Sequence, residues 1–90
     1  MKRQAFAKRR DANEADIVKA LRGVGCSVLS LDKFDLLVGY QGRDFKIEVK
    51  MPEGKLNASQ EEFVEQWSGS PLHVVRNVDE ALAVLKGSGN

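Results

Sequence analysis

Between Phe34 and Met51 apolar and polar residues take turns, and this alternation constrains the chain more than any other feature of it. Phe34, Leu36 and Val38 alternate with Asp35, Leu37 and Gly39. Beyond Gln41-Gly42, Phe45, Ile47, Val49 and Met51 alternate with Lys46, Glu48 and Lys50. A period of two marks strands whose faces meet different surroundings, and the Gly-containing dipeptide marks a tight turn between them. The expectation is a β-hairpin over Asp35 to Lys50.

A two-residue loop at Gln41-Gly42 decides what the hairpin places together. Tyr40 then faces Arg43, Gly39 faces Asp44, Val38 faces Phe45, Leu36 faces Ile47, and Asp35 faces Glu48. Opposed Cβ atoms sit about 5 Å apart, where like charges repel. A hard divalent cation such as Mg²⁺ takes carboxylate oxygens and relieves that repulsion. Lys50 lies two residues past Glu48, on the same face and roughly 7 Å along the strand. Two acids and an amine around one point suit metal-assisted phosphodiester chemistry. The alternative is a solvated polar face on which the pairing is fortuitous. Two-residue turns favour Asn-Gly, and a three-residue loop would undo this register.

Composition narrows the function classes. Ninety residues make one small domain with a modest core, and a hydrophobic fraction of 42% with 30% charged residues suits a globular protein. No apolar run approaches the roughly 18 residues of a membrane span, and the N-terminus lacks the apolar core of a secretory signal. The single cysteine, Cys26, cannot form an internal disulfide and reads as a small buried residue on a strand. One His and one Cys give neither zinc-finger spacing nor a Cys–His pair. A reducing cytoplasm fits these counts. The net charge of +1 hides an asymmetry: Lys2, Arg3, Lys8, Arg9 and Arg10 crowd residues 1–10 with no acid among them. The rest of the chain holds nine basic against thirteen acidic residues. A basic arm at 1–10 on a mildly acidic body suggests a polyanion partner, or else a solubilising tail.

Taken in order, Asp11 to Arg22 reads as a helix, with Ile17, Val18, Leu21 and Val24 in one stripe, Asp11 as its cap, and Gly23 and Gly25 as its stop. Glu14 shares the apolar face, so it either sits at the rim of the first turn, where the helix dipole favours an acid, or points into the Asp35–Glu48 site. Cys26 to Leu31 reads as a first strand, and the hairpin strands Phe34–Gly39 and Asp44–Met51 follow. Pro52 ends the last of these. A second helix opens at Asn57, whose spacing to Gln60 is that of a capping box, with Ser59 and Glu62 offering the same one turn out of phase. Phe63, Val64 and Trp67 form its expected buried stripe. Leu72–Arg76 is a fourth strand, on which His73 and Arg76 fall on opposite faces. A last helix opens at Asn77 or Asp79, with Val78, Ala81, Leu82 and Leu85 on one face. Residues 88–90 are a tail. The order αβββαβα, with a helical crossover between strands three and four, makes those two strands parallel. An α/β fold with a mixed four-stranded sheet flanked by helices results, as one domain over 11–87.

Asp35 and Glu48-Val49-Lys50 on consecutive strands in this order resemble the restriction-endonuclease-like superfamily, whose motif is written PD-(D/E)XK. The chain is most similar to the stand-alone, phage-type VRR-NUC (virus-type replication-repair nuclease) domain. That family joins a helix-one glutamate, a strand-two aspartate and Glu-Val-Lys to a loop with Gly and Pro, a helix opening like Leu-Ser-x-x-Gln, and a late Val-Arg. The matching residues here are Glu14, Asp35, Glu48-Val49-Lys50, the run Pro52 to Gln60, and Val75-Arg76. The likeness spans residues 13 to 85. Phe34 stands in place of the superfamily's nominal proline, and Met51 where the family often has glycine.

The resemblance implies roles. Asp35, Glu48 and the Val49 carbonyl would bind Mg²⁺ or Mn²⁺, and Glu14 would complete a second metal position or hold a metal-bound water. Lys50 would orient the attacking water or stabilise phosphorane charge, and Gln60 would position the scissile phosphate or Lys50, or serve only as a cap. Lys55, in a loop beside the site, would touch DNA backbone, and Arg76 would bind phosphate or pair with a carboxylate, while His73 reads as structural. The implied activity is endonucleolytic cleavage of branched DNA such as Holliday junctions, in the cytoplasm of a bacterial host if the chain is phage-encoded. Cutting a two-fold junction twice calls for a homodimer. The competing readings are a DNA-binding or recruitment module without catalysis, and a structural or inhibitory phage protein.

Overall fold

Seven elements follow one another: α1 (Gln4–Gly23), β1 (Ser27–Ser30), β2 (Leu36–Tyr40), β3 (Arg43–Val49), α2 (Ala58–Gln66), β4 (Leu72–Val75) and α3 (Val78–Gly87). They come from a computed structural model that describes residues 4–32 and 34–87, with side chains from residue 13 onward. The sheet order is β1-β2-β3-β4. β1–β2 and β2–β3 are antiparallel, and β3–β4 is parallel, as a helical crossover requires.

The hairpin takes the two-residue loop. Tyr40 pairs with Arg43, Val38 with Phe45 and Leu36 with Ile47. Gln41 and Gly42 have φ of 52° and 79°, the positive values that a turn matched to strand twist demands at both central positions. Gln41 therefore occupies the left-handed region without glycine's freedom, a strain of about 1 kcal/mol or more. The register holds regardless, because a one-residue slip would turn every core side chain outward.

One sheet face is apolar and packs on two helices. Val28, Leu36, Val38, Phe45, Ile47, Val49 and Val75 join Ile17 and Leu21 of α1 and Ala81 and Leu85 of α3 in a single core. The half-buried Val18 and Leu82 pack at its margin. Cys26 is also in this core, where burial raises its thiol pKa. Strand β3 is buried from Phe45 to Val49 without a break, so Lys46 and Glu48 are covered on the opposite face too.

Two helices differ from expectation. α1 begins at Gln4, not Asp11. No Gly or Pro interrupts residues 4–22, and Ala5, Ala7, Lys8, Arg9, Arg10 and Ala12 are strong helix formers, so Asp11 lies inside the helix instead of capping it. The part of the basic arm from Gln4 on is thus helical backbone. Its side chains, Lys2, Arg3 and residues 88–90 lie outside what is described. At the other end Gly25 (φ 100°) is the stop: its N–H donates to the Arg22 carbonyl at 3.0 Å and the Cys26 N–H to the Leu21 carbonyl at 3.0 Å, the paired bonds of a Schellman motif. In α2 no residue is buried: Phe63 is half-buried, and Val64 and Trp67 are 40% and 51% exposed. The apolar stripe expected there has little to bury against, because the sheet face beneath carries Lys46, Glu48 and Lys50. It forms an aromatic row instead, Phe34–Phe63–Trp67, with ring centroids 5.7 and 5.3 Å apart.

Replacing Gln41 by Asn, which enters the left-handed region more readily, is expected to raise stability by up to about 1 kcal/mol. The urea-denaturation midpoint measures it, and no gain would show that Gln41 bears no strain.

Candidate functional site

The β2–β3 ladder ends at Leu36–Ile47. Just beyond it the strands part, and two carboxylates take over the backbone donors. The Asp35 N–H donates to Glu48 Oε1 at 3.2 Å, and the Val49 N–H donates to Asp35 Oδ2 at 2.8 Å. Asp35 and Glu48 are therefore neighbours, as the register requires, and each is aimed by a peptide dipole. The Leu31 N–H donates to the Asp35 carbonyl at 3.0 Å, which fixes Asp35 from the other side.

Glu48 is 2% exposed. A carboxylate so buried is costly unless paired and hydrogen-bonded, and Glu48 is both. Besides the Asp35 N–H it accepts from Gln60 Nε2 at 2.6 Å, and Lys50 Nζ lies 3.4 Å from Oε2. The Lys50 N–H donates to the Val75 carbonyl at 2.9 Å, which anchors its backbone to β4 while the side chain keeps about a fifth of its exposure (19%).

Gln60 does two jobs. Its N–H donates to Asn57 Oδ1 at 2.8 Å and its Oε1 accepts the Asn57 N–H at 3.0 Å, a complete capping box at the start of α2. Its remaining amide nitrogen is the donor to Glu48. The Asn57–Gln60 box, not Ser59–Glu62, starts the helix, and closing it sets the orientation of the donor to Glu48.

Glu14 lines an open groove of about 510 Å³ with Ala15, Val18, Lys19 and Arg22. Among the described residues no three His, Cys, Asp or Glu side chains gather closely enough to hold one metal ion. The two acids seen in direct contact are Asp35 and Glu48. Glu14 rides on α1, whose Ile17 and Leu21 pack on the apolar face with Leu36 and Ile47, while Glu48 turns to the α2 face.

Other expected residues scatter. Lys55 is exposed in the 50–57 connection. The Arg76 Nη2 donates to the Gly54 carbonyl at 3.0 Å and ties that connection to β4, while its backbone N–H donates to Glu80 Oε1 at 2.8 Å. His73 stands edge-on to Phe45, with centroids 6.2 Å apart. Asn77 caps α3, accepting the Glu80 N–H at 2.8 Å. One grouping escaped the sequence reading: Lys46, Ser70 and Trp67, which meet on the Glu48 face. Alternation places Lys46 on that face, but nothing local brings Ser70 and Trp67 back to it.

Known proteins add no relative: no family model matches the chain, and no curated protein or solved structure does either.

Asn57→Ala and Gln60→Ala both remove the cap, but only the second also releases Glu48. The first is expected to cost about 1 kcal/mol. The second should cost about 1.5–3 kcal/mol more, the range for a hydrogen bond to a charged group. Equal losses in chemical denaturation would mean that the bond to Glu48 adds nothing.

Proposed function

We propose that the chain is a metal-dependent endonuclease of the PD-(D/E)XK, VRR-NUC kind that hydrolyses phosphodiester bonds in branched DNA, four-way junctions among them. The observation that carries this reading is the Asp35–Glu48 pair, locked by reciprocal backbone bonds where two strands part, with the Lys50 ammonium beside it. The donor set fits a hard ion in kind, since both side chains offer only oxygen. Asp35 and Glu48 would hold Mg²⁺ or Mn²⁺, with the Val49 carbonyl as the further oxygen. Such an ion activates water at neutral pH and offsets charge on phosphate oxygens.

The protein's own groups do the rest. The peptide N–H groups of Asp35 and Val49 hold the carboxylates in place before substrate arrives, so little reorganisation is left for the reaction. Lys50 supplies a fixed positive charge for the transition state. Gln60 keeps Glu48 from rotating. The basic residues at 2–10 and Lys55 supply sequence-independent attraction to the backbone. Two cuts at a symmetric junction call for two copies of the chain.

A second reading draws on the arrangement of Glu48. Its Oε2 already has Gln60 and Lys50 as partners. A DNA-binding or recruitment module without catalysis accounts for that arrangement. Labelled four-way junctions, flaps and plain duplex, incubated with and without Mg²⁺ or Mn²⁺, separate the two. Binding without cleavage under every condition favours the module.

Asp35→Asn and Glu48→Gln are each expected to abolish Mg²⁺-dependent cleavage while the circular-dichroism spectrum is kept; retained cleavage in either would remove the metal site. Lys50→Ala should lower kcat by about 10²–10³, and a loss confined to metal affinity would contradict its role. Changing Lys2, Arg3, Lys8, Arg9 and Arg10 together to Gln should flatten the dependence of log affinity on log salt by up to about 4–5. An unchanged slope would show that these residues touch no phosphate.

A further inference from the structure

The face that carries Glu48 and Lys50 holds a third charged side chain that the proposed chemistry leaves unused. Lys46 lies two residues before Glu48, so it projects from the same face roughly 7 Å along the strand. It is 8% exposed. Its Nζ donates to Ser70 Oγ and sits over the Trp67 ring, 5.3 Å from the centroid. Both partners are neutral. Among the described residues no carboxylate forms an ion pair with Lys46; the ion pair on this face joins Lys50 to Glu48.

A covered cation without a counter-charge is costly. The hydroxyl and the indole soften that cost without neutralising the charge. Its field reaches the next strand, where the His73 pKa is lowered first by burial and then by Lys46. An ammonium has three donors, and Ser70 takes one. The surroundings are built for close approach. A Cβ at Gly69 would fall 2.7 Å from Trp67 Nε1, so glycine there lets the 68–70 connection hug the indole and deliver Ser70 to Lys46. Phe63 stacks on Trp67 at 5.3 Å and 25°, yet Trp67 is 51% exposed.

We propose that Lys46 and Ser70, beside Trp67, form a subsite for a backbone phosphate of the bound strand, distinct from the phosphate that Lys50 faces. Lys46 and Lys50 lie four residues apart, roughly 13 Å along the strand, with Glu48 between them, so the two cations stand on either side of the carboxylate pair. Trp67 then lies against the sugar or base of the same nucleotide. The anion gives Lys46 the direct counter-charge that no carboxylate among the described residues supplies. That the anion belongs to a polynucleotide rests on the nuclease reading.

Trp67 is the chain's sole tryptophan, so its emission reports on this subsite. The test titrates the full chain with single-stranded oligodeoxythymidine in EDTA, where no metal-dependent cleavage occurs. Emission should change with saturation. Lys46→Gln should weaken binding, reduce the slope of log affinity against log salt by about 0.7, the value of one phosphate contact on a single strand, and raise KM for the cleaved junction. Lys46→Arg should restore the slope. The melting temperature of Lys46→Gln should be equal or higher, because an unbalanced charge is gone. A lower melting temperature with an unchanged slope would make Lys46 a tether for α2 and overturn the subsite. DNA binding that leaves Trp67 emission and the Lys46→Gln slope unchanged overturns it too, while the nuclease reading stands. Binding reported through Trp67 with no cleavage under Mg²⁺ or Mn²⁺ upholds the subsite and overturns the nuclease.

Discussion

The register of β2 against β3 is the constraint on which everything else depends. With Leu36 set opposite Ile47, the apolar half of both strands faces α1 and α3, and Asp35 arrives beside Glu48. The same register brings the Val49 N–H within 2.8 Å of Asp35 Oδ2. A slip by one residue would bury the charges and expose the core together. Fold and site are therefore set by a single choice, made at the two residues of the turn.

Burial then gives the carboxylate pair its character. Glu48 loses water and gains an amide, an ammonium and a peptide N–H in exchange. Without α2 it would lose its Gln60 donor, and without Glu48 α2 would lose its firmest polar hold on the sheet, since no residue of that helix is buried. The electrostatics of the site and the docking of the helix support each other. Charge repulsion between the two acids, which a cation was expected to relieve, is already offset in part by these donors.

Period-two alternation carried the hairpin, its register and the Asp35–Glu48 contact, because strand geometry turns sequence spacing directly into sidedness. The Asn57–Gln60 cap was legible for the same local reason. What failed was non-local. A run of basic residues reads as a solvated arm, although its alanines and lysines extend a helix as readily as any. The stripe Phe63, Val64, Trp67 announces a buried face but cannot say that the surface beneath is charged. Glu14 shares a stripe with Ile17, and the sequence does not tell which side of the sheet that stripe will cover. Lys46 was visible as a polar residue on the right face; its partners come from more than twenty residues away.

Helix α2 has a further property that follows from its outer surface. Glu61, Glu62 and Glu65 are all exposed there. Their repulsion acts over a Debye length of about 8 Å at physiological salt, comparable to the helix radius with its side chains. The helix is thus an acidic fence: it turns anions away from its outer side over that distance, and less so as salt is added.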